Sequence, residues 1–573
     1  MNTNEKELTG YPSIDKPWLK YYNSPESFKV PMCKNYDYIY QEAKKYGDNI
    51  AIEYFNAKIT YNQLFDNVEK VAKSLKTLNV QENEIVSVCL PNIPEVVYVY
   101  YAINRIGAVA NMLDLRCNSS TLIQSCVDGK SKLLITLDMV LEKFLEGKGQ
   151  TQLETIVTVS PTNSLGGIFK LSPELKKKFK NSDDYVISWK EFINVGIKYK
   201  GIIDSEYKPD AIAVIAYTGG TTGIPKGVSG TNENLNSFLE MSKYDGYSYF
   251  VGDRTLLIAP PWTFYGLNNG INHFIHKGRI VIMLPKVEAN ALGELIVKHK
   301  PNHIITVPSA LNAVINDIKP AYSLDFIKTI IVGADKLDET FETTFNDFLK
   351  QHDSHAAISK GYGMTEVMAA ASYTIPQCNI IGSVGIPCVG NIISIFEEGS
   401  EPPKELKIGE KGEVAIFGPS VMKGYFGEAA KEDSSVLRKH SDGTIWAHTG
   451  DIGHMDCNGV LYIDGRIKRM FTKNGYKVFA GEVERQIMKH EKVENCAVIA
   501  VPDDINGSNE KAYVVLKKKS DKDTVKQELF DMLKASLYDY EIPDYIGFIA
   551  EMPLTGMNKI DYRALEKMAE EMQ

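Results

Sequence analysis

Four glycines, three threonines and one lysine crowd the eleven residues Tyr217-Thr218-Gly219-Gly220-Thr221-Thr222-Gly223-Ile224-Pro225-Lys226-Gly227. Glycine leaves room for a bound group and permits positive φ. Successive amides in such a turn point at an anion, and the threonine hydroxyls and the Lys226 ammonium add donors and charge. The chemistry is phosphate binding. The Walker spacing Gly-x-x-x-x-Gly-Lys-Ser/Thr does not fit this stretch. Taken alone, a flexible Gly/Thr surface loop reads the same way.

Four further stretches carry reactive or binding groups. Gly361-Tyr362-Gly363-Met364-Thr365-Glu366 offers a ring for stacking, a hydroxyl and a carboxylate. A carboxylate beside a phosphate needs a cation between them, and Mg²⁺ meets that need; alone, the stretch also reads as a helix start. His448-Thr449-Gly450-Asp451 places a carboxylate at a strand end, where it accepts sugar hydroxyls or forms an Asx turn. Tyr462-Ile463-Asp464-Gly465-Arg466 reads as a strand end followed by a turn. Pro553 to Asp561 is a Pro/Gly-rich loop holding Lys559, either an exposed lysine or one that reaches into a cleft.

The elements that must hold these groups come from hydrophobic periodicity. Apolar residues at helical spacing, Leu64, Val68, Val71, Leu75 and Leu78, predict a helix, and Pro91-Asn92-Ile93-Pro94 starts a second one through about Arg105. Short apolar runs recur at Ile85–Leu90, Leu133–Thr136, Ile156–Val159, Ile212–Ala216, Leu256–Ile258, Ile280–Leu284, Ile304–Val307 and Ile330–Val332. Separated by helix-length segments, they predict mostly parallel sheets covered by helices. Residues 1 to about 35 read as an extended arm, and the lysine-rich stretch 161–208 as a surface excursion. After about residue 380, short Gly-punctuated strands predict a small β-rich subdomain. Beyond Asp464 the chain turns basic and then α+β, so the cut falls between 1–464 and 465–573.

At 573 residues the chain is long enough for more than one domain. A net charge of −9 argues against a nucleic-acid partner. None of the eight cysteines has CxxC spacing, so zinc and redox motifs are unsupported, and scattered thiols without a leader point to the cytoplasm. No run of about 18 apolar residues is present to span a membrane.

Taken in order, the five stretches resemble the adenylate-forming (AMP-binding) superfamily of acyl-CoA synthetases, peptide-synthetase adenylation domains and firefly-type luciferases. The likeness runs from about Tyr46 to Leu565. It implies an α/β fold: a large N-terminal domain with a β-rich subdomain, then a small mobile α+β domain. It implies ATP, Mg²⁺ and CoA as cofactors. Thr218, Thr221, Thr222 and Lys226 would hold phosphates, with Gly333-Ala334-Asp335, Tyr362 and Gly363 around adenine. Thr365 would meet the α-phosphate, Glu366 the metal, and Asp451 and Arg466 the ribose. Lys468 would be the hinge, and Lys559, Lys226 and Thr365 the catalytic set. Two positions depart from the family pattern: Asn558 stands where glycine is usual, and Thr263 where many acyl-CoA synthetases carry histidine.

The implied acid pocket includes Trp262, Phe264, Tyr265 and Gly266, with the stretches 236–249 and 262–269 and the turn at Gly333 as its wall. Pro261-Trp262-Thr263-Phe264 offers no acid to pair with a substrate ammonium. The expected reaction therefore joins a fatty or other non-amino carboxylic acid to CoA through an acyl-adenylate. The alternative is loading of an amino or aryl acid onto an acyl carrier protein.

Overall fold

The computed structural model describes residues 8–22, 26–165, 185–218, 225–287, 291–427, 436–473, 476–503, 507–517, 521–554 and 560–571. Two large sheets dominate the first four-fifths of the chain. In the eight-stranded sheet, strands Val109–Met112, Ile85–Cys89, Leu133–Leu137, Thr155–Val159 and Val186–Ser188 run parallel, and Ile212–Tyr217 joins beside Val109–Met112. These strands are apolar almost throughout because helices cover both faces of such a sheet. Gly227–Thr231 then turns back antiparallel to Ile212–Tyr217, and Gly424–Phe426 closes that edge.

The nine-stranded sheet is parallel through its centre: Ile358–Tyr362, Thr329–Val332, His303–Thr306, Arg254–Leu257, Ile280–Met283 and Ile50–Tyr54. Antiparallel strands finish both edges. A third, antiparallel sheet holds Ile392–Phe396, Gly412–Phe417, Ile445–Met455, Leu437–Lys439 and Leu461–Arg466. It is the expected β-rich subdomain. Among the described residues after Arg466, strands pair with one another: a hairpin, Met470–Lys473 with Tyr476–Phe479, and a three-stranded sheet in which Gly507–Leu516 takes Tyr545–Phe548 in parallel.

Local chemistry fixes where the helices begin. Tyr61–Thr77 starts at a capping box in which Thr60 and Gln63 satisfy each other's backbone amides. Its predicted apolar stripe is buried at Leu64, Val68, Val71 and Leu75. Pro94 occupies the first turn of Pro94–Arg105, where its missing amide costs nothing.

Four expectations need correction. The N-terminal arm is not extended: Pro12–Asp15 and Pro17–Tyr21 are helical turns, and Trp18 is buried against the β-rich subdomain's core. The described part of 161–208 is no excursion. Val186–Ser188 extends the eight-stranded sheet, and helix Trp189–Gly196 buries Phe192. Asp451 is not at a strand end but inside Ile445–Met455, and Asp464-Gly465 is not a turn but part of strand Leu461–Arg466. In both cases the pairing partner, which periodicity does not reveal, carries the strand through the glycine.

Candidate active site

Three sheets bring Lys226, Tyr362, Glu366, Asp451 and Arg466 into one region. Asp451 is aimed there by a bulge. Glu413 pairs with Ile452 and Ala415 with His448, so Thr449, Gly450 and Asp451 lie opposite the single residue Val414. Gly450 takes φ +68°, a conformation that favours glycine, and Thr449 ties the bulge with a 2.8 Å bond to the Val414 carbonyl. Such a bulge re-aims a side chain. Across the strand pair, Arg466 faces Asp451 in register, and its Nε lies 2.9 Å from Oδ1. The Tyr362 hydroxyl donates to Oδ2 at 2.7 Å. Burial, then the Asp451 charge, pushes the Tyr362 phenol well above its ordinary pKa, so the hydroxyl stays protonated as a donor.

Tyr362 ends strand Ile358–Tyr362, beside Thr329–Val332, whose exit is Gly333-Ala334-Asp335. Ala334 adopts φ +70°, a strained value for a residue with a Cβ. A Cβ on Gly363 would lie 2.1 Å from the Ala369 carbonyl oxygen, so the backbone there admits no side chain. Thr365 and Glu366 form one 3-10 turn, Thr365–Val367, in keeping with the helix-start reading. Met368 (φ +58°) and Ala369 (φ +124°) follow in strained backbone of the kind that collects at functional sites.

Glu366 is 6% exposed, and burial raises its pKa although the Tyr425 hydrogen bond and the nearby Arg466 and Lys226 charges act the other way. The neck of the glycine-rich loop is closed by two bonds: Thr218 N–H to the Lys226 carbonyl at 2.9 Å, and Lys226 N–H to the Thr218 hydroxyl at 3.1 Å. Thr221 and Thr222, within 219–224, lie outside the described residues, as does Lys559. Lys468 belongs to the 3-10 turn Ile467–Arg469 directly after Arg466.

Of the predicted acid-pocket residues, Tyr265 lies beside Gly333. The Tyr265 hydroxyl bridges the carbonyls of Thr306 (2.8 Å) and Ile331 (3.1 Å), pinning the ring across two adjacent strand ends. A Cβ on Gly333 would sit 3.6 Å from that ring. Phe264 and Trp262 are buried, and Arg116 lies 5.4 Å from the centre of the Trp262 ring. Gly266 admits no Cβ because the Pro260 carbonyl oxygen would be 2.0 Å away. The Thr263 hydroxyl is spent on the Pro260 carbonyl and the Gly266 amide, so it braces the turn. Asn236 bonds the carbonyls of Pro31 and Cys33 and the side chain of Asn35, which ties it to the N-terminal segment.

Known proteins match the chain over nearly its whole length. The family model "AMP-binding enzyme" covers residues 39–426, and "AMP-binding enzyme C-terminal domain" covers 482–559. The chain belongs to the AMP-binding enzyme family. A long-chain-fatty-acid–CoA ligase of Bacillus subtilis (strain 168) is 30% identical over 561 residues, spanning 96% of this chain and 97% of that one. A probable 4-coumarate–CoA ligase 1 of Dictyostelium discoideum is 28% identical over 499 residues, 86% and 87% of the two chains. Among solved structures, ATP-bound MatB from Rhodopseudomonas palustris superposes with a TM-score of 0.80 at 21% identity, over 94% of this chain and 99% of that one.

Sequence reasoning missed two features of this AMP-binding enzyme. Tyr425 lies on one of the Gly-punctuated strands after residue 380, which joins the eight-stranded sheet rather than the β-rich subdomain, and its hydroxyl donates to Glu366 Oε1 at 2.7 Å. Lys360, just before Gly361-Tyr362, is buried in an ion pair with Glu342 and bonds the Ile380 carbonyl at 2.7 Å. A lysine inside an apolar strand run was the available signal for the second; no local signal marks the first.

Proposed function

We propose that this enzyme is an AMP-forming carboxylic acid–CoA ligase acting on a fatty or other non-amino acid. The observation that supports it best is the end-to-end likeness to a long-chain-fatty-acid–CoA ligase, joined to the Tyr362–Asp451–Arg466 corner. In the proposed reaction an acid oxygen attacks the α-phosphorus of ATP and pyrophosphate leaves. The CoA thiol then attacks the acyl carbon, forming the thioester and releasing AMP. An anion must approach a polyanion in the first step, so placed positive charge dominates catalysis.

In this reading Thr218, Thr221, Thr222 and Lys226 hold the phosphates. Gly333, Ala334, Tyr362 and Gly363 frame the adenine, Thr365 meets the α-phosphate, and Asp451 and Arg466 take the ribose hydroxyls. Trp262, Phe264, Tyr265 and Gly266 line the acid site. Lys559 and Lys226 supply catalytic charge. Glu366 fits a magnesium ion: it is a buried carboxylate that already accepts one directed hydroxyl. Among the described residues no group of three or more His, Cys, Asp or Glu could hold a metal alone. One carboxylate sharing the ion with substrate phosphates is the arrangement Mg²⁺ favours. When bound, the ion would neutralise phosphate charge.

Strand pairing supports a boundary just after Arg466, two residues past the 464/465 cut and next to the proposed hinge Lys468: Arg466 still pairs with Asp451, and the described strands beyond it pair with one another. Eight free cysteines fit a reducing cytoplasm. Among the described residues no helix is long and apolar enough to cross a membrane.

The test is a panel of fatty, aryl and amino acids with ATP and CoA, scored by AMP release. The reading expects CoA-dependent AMP release with non-amino acids. Transfer to a carrier-protein thiol but not to CoA would replace it with the carrier-loading alternative.

A further inference from the structure

The proposed reaction gives Glu366 a task and leaves its neighbour Tyr425 without one. Tyr425 lies on strand Gly424–Phe426, which pairs antiparallel with Gly227–Thr231, so that Tyr425 faces Val228 and Phe426 faces Gly227. This register puts the ring at the exit of the glycine-rich loop, and Lys226 Nζ lies 5.2 Å from the ring centre. Ammonium groups at that distance are drawn to the ring face. The phenol donates to Glu366 Oε1 at 2.7 Å.

The backbone repeats the tie, because the Met422 amide donates to the Glu366 carbonyl at 2.8 Å. The segment itself is anchored: Asn234, next to the loop's exit strand, bonds the carbonyls of Pro419 and Val421 at 2.8 and 2.9 Å. One side chain therefore touches both charged groups that the reaction assigns to phosphate and cation.

We propose that Tyr425 is a positioning residue that presets the Glu366 carboxylate for a divalent cation and the Lys226 ammonium for the phosphates. The proposal rests on the reading of Glu366 as the cation's ligand. Its two functions are chemically separable. Phenylalanine keeps the ring under Lys226 and deletes the donor to Glu366; leucine deletes both.

The experiment uses full-length wild type, Tyr425→Phe, Tyr425→Leu and Glu366→Gln. Mn²⁺ is the probe, titrated in the presence of ATP and counted by the paramagnetic signal of the free ion. ATP–pyrophosphate exchange is measured against Mg²⁺ concentration in parallel. Partners that orient a metal's ligands change metal affinity by about 10-fold or more when removed. Tyr425→Phe is expected to weaken Mn²⁺ by that factor and to shift the Mg²⁺ curve equally, with KM for the acid unchanged. Tyr425→Leu is expected to raise KM for ATP as well. Adding Tyr425→Phe to Glu366→Gln should bring no further loss of Mn²⁺ affinity, because the acceptor has already gone.

Wild-type Mn²⁺ affinity in Tyr425→Phe overturns the proposal. So does an exchange rate reduced by the same factor at every Mg²⁺ concentration, which marks a purely structural role. If no acid supports exchange while wild type and Tyr425→Phe still differ in Mn²⁺ affinity, the ligase reading fails and the Tyr425 assignment holds.

Discussion

Two carboxylates in this molecule each receive a tyrosine hydroxyl at 2.7 Å, and they are not equivalent. Asp451 accepts from Tyr362 on one oxygen and faces the Arg466 guanidinium at 2.9 Å on the other. Glu366 accepts from Tyr425, and the positive charges near it do not offset its burial, so its pKa rises. One corner is electrostatically complete within the protein. The other holds an anion whose burial the protein leaves under-compensated. A cation arriving with a phosphate ligand gains most at the second corner, because stabilising a buried carboxylate is where new positive charge counts. The first corner suits a rigid bonding task, the second a charge-dependent one.

The largest expected effect separates them directly. Glu366→Gln keeps the shape and removes the charge. Adenylate formation, read by pyrophosphate exchange, should fall by about 10²–10³-fold, the usual loss when one transition-state electrostatic group is deleted. Its melting temperature should not fall, since an amide spares the burial cost of the ion. A marked drop in melting temperature would erase the distinction between the corners.

A third buried carboxylate, outside both corners, supplies the control. Glu95 is 1% exposed, takes the Ser164 hydroxyl at 2.6 Å, and burial raises its pKa to about 7. The native state thus keeps the proton where the unfolded chain has lost it, so this group's contribution to stability falls as pH rises from about 4.5 to 7. At about 1.4 kcal/mol per pKa unit the loss is on the order of 3 kcal/mol. Glu95→Gln should therefore gain stability relative to wild type by that order between pH 5 and pH 8, measured by denaturant unfolding. Its Mg²⁺ dependence should match wild type. A flat difference across pH would show that burial alone does not set these groups.

The smallest effect is at the completed corner. Asp451→Asn weakens bonds from Tyr362 and Arg466. The Arg466 side chain is 64% exposed, so solvent screens most of that pair. Hydrogen bonds to a charged group contribute about 1.5–3 kcal/mol, and denaturant unfolding should fall near the lower end of that range. KM for ATP should rise more than KM for the acid. Equal changes in both constants would deny the corner a nucleotide-specific part.

Much of this was legible in residue order. The glycine-rich loop, the Gly361–Glu366 stretch and the strand–helix alternation depend on local chemistry: backbone freedom at glycine, proline at a helix start, and apolar runs long enough for one strand. These signals lie within a few residues of the feature they predict. Asp451 and Arg466 were named as nucleotide candidates, but their mutual bond was not, because it depends on a bulge opposite Val414 and on strand register.

Tyr425 was invisible for the same reason. It meets Glu366 across 59 residues of chain, and no local pattern encodes that meeting. Side-chain type and near-neighbour spacing were enough for most of the strand–helix alternation and for naming groups whose chemistry suits phosphate, sugar or metal, but not for the N-terminal helical turns or the strands that run through Gly450 and Gly465. Which of those groups touch was settled by the folded chain. Contact across sheets is set by register, bulges and packing, which are collective properties of the folded chain.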